Sequence, residues 1–317
     1  MMNRMNMDEF GAAVEERIKD FLPAEYKDAE IEVSLYPKNG GELHGMRIRK
    51  RDMNISPVIY LEKMYEWYNT RHASLEETLT TFAGIYLQAL EESKFNIADV
   101  MERLSNVLET VTMRLVNTRR SKELLEQAPH REFLDLSIVY RVVVDDMMGD
   151  AGSITLTNSL CSHFGISEEQ LYEAALRNTL DAGIMVRSIS PIGINPNNLY
   201  HDFSEGKKVK QLQSLYCVTN SSMWYGAVAI ANPEILSTIA SGLQLEGFYV
   251  LPSSVHEFLI PTGCDDCAEN LLEIVRDANQ ELVSDEEILS NSVYYFDAKK
   301  KELSIAATVK ECAVTNA

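Results

Sequence analysis

Five groups of residues in this sequence have the types and spacing for chemistry. The first is Pro252-Ser253-Ser254-Val255-His256-Glu257, which puts hydroxyls, an imidazole and a carboxylate in one hexapeptide. Ser254, His256 and Glu257 are the parts of a small hydrolase: nucleophile, base and acid. In a strand, Ser254 and His256 share a face and Glu257 takes the other. Same-face neighbours lie roughly 6–7 Å apart, beyond a direct nucleophile–base hydrogen bond of about 2.6–3.2 Å, unless a bent turn shortens the gap. The competing reading is a hairpin whose serines satisfy turn amides.

The second group is metal-like. Cys264 and Cys267 form one CxxC, and Cys161 and His163 one CxH. Together they are a tetrahedral zinc set. The halves are about a hundred residues apart, and two acids between the paired cysteines oppose the thiolates that a metal needs. The third group is basic: Arg47, Arg49 and Arg51 on one strand face, and Lys207, Lys208 and Lys210 farther on. Such clusters hold a phosphate or an acidic peptide, or protect a sheet edge. The fourth is His130 with Asp135. Asp135 interrupts an apolar run, so it needs a partner, and His130, Arg131 or Arg141 could supply one. The fifth is acidic. From Asp265 to Glu302 there are eleven acids and four bases, with Glu269, Glu273 and Asp277 on one predicted helix. No Walker loop, HExxH, GxSxG, EF-hand loop or GxGxxG occurs, and no cofactor is expected.

The elements that must position these residues are short and well punctuated. Phe10, Val14, Ile18 and Phe21 predict a helix capped by Asp8 and ended by Pro23. Alternation over 29–37, a turn at Asn39-Gly40-Gly41 and a return over 43–51 predict a hairpin. Ser56-Pro57 opens a helix, or Val58–Tyr60 first forms a strand. Ser74 and Glu77 form a capping box, as do Ser167 and Gln170. Strands are predicted over 107–116, 133–144 and 153–157, with a helix over 121–127 between the first two. Residues 191–206 read as a linker. Strands over 212–218 and 225–230 precede a helix capped by Asn232 with Pro233 at its first position. Strands over 248–251 and 255–260, an acidic helix over 267–279, and strands over 293–296 and 303–307 close the chain. The stretches 133–158 and 212–232 echo one another as strand–strand–helix units.

Six blocks carry a family resemblance: NISPVIYLEKMYEWY (54–68), SKELLEQAPHREFLDLSIVY (121–140), ISEEQLYEAALRNT (166–179), LYCVTNSSMWYGAVAI (215–230), YVLPSSVHEFLI (249–260) and EEILSNSVYYFD (286–297). They resemble an uncharacterised domain-of-unknown-function family of anaerobic Gram-positive gut bacteria, often near mobile elements. The resemblance spans nearly the whole chain. It implies a shared fold and a bacterial cytoplasmic protein, and it supplies no catalytic residue.

Composition narrows the classes. The chain has 317 residues, 45% of them hydrophobic, and a net charge of −19, which suits an ordinary globular core. That charge repels phosphate backbones and argues against general nucleic-acid binding. The longest apolar run, Met223–Ala231, is far short of the roughly 20 residues of a membrane span and reads as a buried strand. The N-terminus shows no signal peptide, and five cysteines form no disulfide framework, so the expected address is the cytoplasm. The expected fold is α+β: antiparallel hairpins interleaved with short capped helices. The expected division is a lobe over 1–126 and another over 127–317, with a further break near 195–206. The leading function is a non-enzymatic protein-binding or regulatory factor with a protein partner, in a mobile-element or defence setting. The small hydrolase and the zinc protein are the alternatives.

Overall fold

The computed structural model describes residues 5–50, 58–71, 73–92, 97–143, 153–181, 183–190, 193–194, 199–206, 214–263 and 268–309. The fold is α+β, built on antiparallel sheets. The chain divides into two compact units, one of the described residues up to Ser105 together with Ser153, the other of those over 106–143 and from Ile154 onward. The expected break near Glu126 falls inside the second unit. There Leu124 and Leu125 pack with Val116, Ala128 and Val139 in one buried cluster.

The first unit opens with α1 (Met7–Arg17). Its cap is Asn6 rather than Asp8. The Asn6 side chain accepts the Glu9 N–H, and Glu9 accepts the Asn6 N–H, both at 2.9 Å, so two orphan amides are satisfied reciprocally. Phe10, Val14 and Ile18 are buried as the periodicity predicts. β1 (Glu30–Lys38) and β2 (Gly41–Arg49) form the hairpin, and β3 (Val58–Tyr60) adds to β2. Then come α2 (Glu62–Thr70), α3 (Leu75–Glu92) and α4 (Ile97–Ser105). The Ser74–Glu77 box caps α3. Leu79, Phe82 and Tyr86 of α3 join Phe10, Met46 and Leu61 in one core.

The second unit holds two sheets. α5 (Val107–Thr110) takes the start of the predicted strand, which survives as β4 (Val111–Asn117). α6 (Lys122–Gln127) follows. The predicted strand over 133–144 is β6 (Leu136–Val143), and it is preceded by an unpredicted strand, β5 (His130–Phe133), that pairs with it as a hairpin. It turns at Leu134 with φ 58°. β4, β6 and β5 lie in that order, and β7 (Ser153–Thr155) pairs with β6. α7 (Asn158–Phe164) is capped by the Thr157 hydroxyl and ended by left-handed Gly165. α8 (Glu168–Asp181) starts on the predicted Ser167–Gln170 box.

The larger sheet runs β14-β13-β11-β12-β10-β8-β9. Its strands are β8 (Ile184–Ser190), β9 (Gly193–Ile194), β10 (Ser214–Asn220), β11 (Gly247–Pro252), β12 (Phe258–Thr262), β13 (Ser292–Asp297) and β14 (Glu302–Thr308). The expected linker over 191–206 includes β9 and α9 (Leu199–Ser204). α10 (Pro233–Leu243) is capped by Asn232 and ends on left-handed Gln244. α11 (Ala268–Glu281) buries Leu271 and Val275 against Leu251 and Val293 of the sheet. No helix among the described residues is long and apolar enough to cross a membrane.

One predicted strand is not a strand. Residues Gly226–Ala231 form a 3-10 helix. Met223 and Tyr225 take left-handed φ values of 60° and 56°, which break any extended return from β10. The strand–strand–helix echo therefore holds for the first stretch alone. Gly226 lets this turn sit directly on β10, because a Cβ there would collide with Thr219 and the Asn220 backbone. Gly226→Ala should cost about 2–4 kcal/mol of stability and disturb the Trp224 environment. Urea denaturation followed by tryptophan fluorescence reads both. An unchanged midpoint and spectrum would show that the contact can relax.

Candidate functional site

The hexapeptide 252–257 is the turn between β11 and β12, and its polar groups hold that turn. The Ser253 and Ser254 N–H groups donate to the Glu257 carbonyl at 3.3 and 3.2 Å. The Ser254 hydroxyl accepts the His256 N–H at 3.0 Å. The Glu257 carboxylate accepts from the Cys217 thiol at 3.1 Å and from the Ser253 hydroxyl at 3.4 Å. The His256 imidazole faces the 220–226 turn. Its Nδ1 accepts the Tyr225 N–H at 3.2 Å, and its Nε2 lies 3.6 Å from Glu287. Trp224 meets the ring edge-on at 4.8 Å. A neutral imidazole that accepts at Nδ1 carries its proton on Nε2. Neither nitrogen then offers a lone pair to a serine. Ser254, His256 and Glu257 share one turn but form no nucleophile–base–acid relay.

Cys217 is shaped by the same turn. Burial first, then the hydrogen bond and charge of Glu257, push its thiol up to about 12, against the opposing effect of Arg187. It is a structural thiol at neutral pH.

Asp135 finds partners other than the three expected. It sits in the β5–β6 turn, and its carboxylate accepts the hydroxyls of Ser290 (2.6 Å), Ser292 (2.9 Å) and Tyr294 (2.7 Å). All three donors are buried. Burial and then the Asp135 charge hold the Tyr294 phenol well above its ordinary range. His130 Nδ1 lies 3.0 Å from the Ala128 carbonyl and donates to it. Arg131 grips Glu168 through two nitrogens at 3.1 and 2.8 Å and stacks 3.8 Å above the Tyr172 ring. Burial alone would raise the Glu168 carboxyl; hydrogen bonds from Arg131 and Tyr140 overcome it and hold the group below the usual range. Arg141 is buried 4.3 Å from the Tyr225 ring, with Arg114 on the same ring at 5.3 Å.

The basic strand face belongs to the first unit, where it meets acid. Arg47 pairs with Glu32 and Arg49 with Glu30 across the β1–β2 register. These hydrogen bonds hold both carboxyls below their ordinary values. Arg51, Lys207, Lys208 and Lys210 lie outside the described residues.

The zinc halves cannot be assembled from the described residues, because Cys264 and Cys267 lie outside them. Cys161 and His163 are two positions apart on α7, so they face opposite ways. Cys161 is buried and His163 exposed. Burial pushes the Cys161 thiol up. A set that sequence reading missed lies on α9. Ligand-capable atoms of His201, Asp202 and Glu205 fall within 4.8 Å of one another. A 3.6 Å contact between His201 and Glu205 accounts for two of them.

Two surface features gather the remaining candidates. An open depression of about 720 Å³ is lined by Glu126, His130, Asn158, Cys161, Ser162 and Glu168, among others. It unites His130 and Cys161, which sequence reading had put in separate groups. On α11, Glu269, Glu273, Asp277 and Glu281 are all exposed. Ile274 among them is 56% exposed, and Leu282 just beyond is 83% exposed. A polar cleft of about 340 Å³ opens beside the end of this helix, lined by Arg276, Gln280 and Asp285 among others.

A model of a family of unknown function, DUF5688, matches residues 7–298. The chain belongs to that family. No curated protein and no solved structure matches it. Membership of DUF5688 therefore identifies relatives without assigning an activity. The depression was illegible in sequence because its wall comes from α6, β5, α7 and α8.

Two measurements follow from this geometry. Asp135→Ala should destabilise the protein by about 2–4 kcal/mol, since three buried hydroxyls lose their acceptor; a loss under about 0.5 kcal/mol would mean the hydroxyls re-pair. Alkylation of Cys217 in the folded protein should be slow at neutral pH and still be rising toward pH about 12. Glu257→Gln should speed it by about threefold or more by removing a charge that favours the thiol. Fast neutral alkylation of the unmodified chain would contradict the assigned environment.

Proposed function

We propose that the protein is a non-enzymatic binding protein that offers the outer face of α11 to a basic polypeptide partner. One observation carries this reading. Glu269, Glu273, Asp277 and Glu281 recur every four residues along the exposed side of one helix. Among the described residues none of these carboxylates has a cationic partner. Other acids of the same unit do: Glu246 with Lys299, Asp297 with Lys300 and Glu234 with Lys301. Exposed Ile274 lies inside the acidic stripe and Leu282 at its end. A charged rim around exposed apolar side chains suits a partner that carries lysines or arginines beside an apolar residue.

The arrangement of the β11–β12 turn supports a binder over a hydrolase, since its imidazole is spent on a backbone amide. On the sequence resemblance, the role is an accessory or defence-related one in a bacterial mobile-element setting.

The test is a panel of fluorescent amphipathic lysine–leucine peptides, scored by anisotropy. Reversing three charges (E269K, E273K, D277K) should weaken binding at least about tenfold, and rising salt should weaken it progressively. Unchanged affinity in the triple variant, with an unchanged melting temperature, would overturn the reading.

A further inference from the structure

We propose that the depression framed by α6, β5, α7 and the start of α8 is a binding site for a cationic amine, an alkylammonium or guanidinium group on a short apolar stem. The reading follows from which atoms of its lining remain unspent. Its floor is apolar, with Leu125 and Ala128 buried beneath it. Its polar groups have mostly given away their hydrogens. His130 donates Nδ1–H to the Ala128 carbonyl, so the lone pair stays on Nε2. The Asn158 amide nitrogen donates to the Glu126 carbonyl at 3.1 Å, which leaves its side-chain oxygen to accept. The Ser162 hydroxyl donates to the Asn158 carbonyl at 2.8 Å, leaving its lone pairs. The Glu126 carboxylate is exposed and has no ion pair among the described residues. Glu168 also lines the wall, but both its oxygens are taken by Arg131 and Tyr140, so Glu126 supplies the free carboxylate.

The side chains therefore present an imidazole nitrogen, an amide oxygen, a hydroxyl oxygen and carboxylate oxygens to one open space. An anion would face acceptors and like charge. A neutral alcohol could donate only once. An ammonium or guanidinium donates three to five times and carries the complementary charge. Such charge-assisted bonds are roughly twice as strong as neutral ones. The chain's net charge of −19 favours the encounter. The inference is independent of α11 and holds whether or not that helix takes a partner.

The experiment uses the full chain, isotopically labelled, and follows amide shifts as n-butylammonium and agmatine are titrated into the millimolar range. n-Butanol and butyrate serve as neutral and anionic isosteres. The expected result is saturable shifts at Ala128, His130, Ser162 and Gly165 with the amines, and none with the isosteres. Glu126→Gln should weaken amine binding about fivefold or more, and His130→Phe should weaken it as well. Both residues are exposed, so the variants should keep the parent melting temperature. The α11 triple reversal should leave amine binding untouched. Blocked lysine and arginine amides form a second arm. If they bind as well as the free amines, the natural ligand is a polypeptide side chain; if only free amines bind, it is a small molecule. Equal shifts with butanol or butyrate, no shifts at these amides, or an affinity that ignores Glu126→Gln would each overturn the proposal.

Discussion

The carboxylate of Asp135 joins the two sheets of the second unit. It projects from the tip of the β5–β6 hairpin onto Ser290, Ser292 and Tyr294 at and before β13. A carboxylate removed from water needs donors to replace it, and three hydroxyls do that. The same hydroxyls extend the joint. Ser292 reaches Thr308 of β14 at 2.8 Å, and Ser290 accepts the Ser292 N–H at 3.0 Å. Beside them the Asn117 amide donates to the Leu289 carbonyl at 3.0 Å, and the Thr118 N–H reaches the Asp135 carbonyl at 3.3 Å. Both candidate surfaces depend on this joint. α11 packs on Val293 of β13, so the joint fixes the strand that carries the acidic helix. The opposite end of β5 carries His130, which lines the depression, and Arg131, which holds Glu168 of its wall.

The acidity of the chain is distributed unevenly with respect to cations. On β1 and β2, glutamates and arginines alternate in register and neutralise one another across the strands. Lys50 adds a pair with Glu25 at 2.6 Å while lying over the Tyr26 ring. The lysines after β13 each take a carboxylate. Exposed pairs of this kind contribute little stability, with a median of about 0–1 kcal/mol. They matter more for where uncompensated charge is left. Among the described residues the Glu269, Glu273, Asp277 and Glu281 carboxylates of α11 have no cationic partner, and an apolar side chain, Ile274, is exposed on the same helix.

The sequence disclosed whatever depends on near neighbours. The α3 and α8 starts were readable because a capping box is a contact over three residues; the α1 start was placed at Asp8, two residues past the Asn6 that caps it. The β1–β2 hairpin was readable because alternation and an Asn-Gly-Gly turn coincide. The fold class followed from short loops between such units. What sequence reading missed are positions decided by distant packing. The β5–β6 turn lies inside an apolar run because Leu134 tolerates a left-handed φ once Asp135 is anchored 155 residues away on Ser290. Residues 226–231 are apolar enough for a strand, yet Gly226 presses against β10 and the chain coils instead. The partners of Asp135 were invisible for the same reason: arginine and histidine nearby in sequence were the natural expectation, and the actual donors come from β13 and from Ser290 just before it. The hexapeptide 252–257 was correctly seen as unusual, but its polarity serves the turn.

The two central histidines show how local structure decides whether an imidazole can act. At His256 the Tyr225 amide arrives at Nδ1, and Tyr225 is fixed there by a left-handed backbone and by the two arginines on its ring. The accepting nitrogen is thus consumed by a backbone donor that has few other places to go, because a buried N–H without a partner is costly. Glu287 then favours a proton on Nε2, so both nitrogens serve the fold. At His130 the polarity is reversed. A backbone carbonyl takes the proton on Nδ1, and carbonyls tolerate extra donors well, having two lone pairs. The other nitrogen keeps its lone pair at the wall of an open depression. The residue type is the same in the two places; the difference is whether the neighbouring backbone presents an N–H or a C=O. That is set by the turn at 223–226 in one case and by the strand entry after Pro129 in the other. In these two rings, which nitrogen keeps a lone pair follows from which backbone group the ring satisfies.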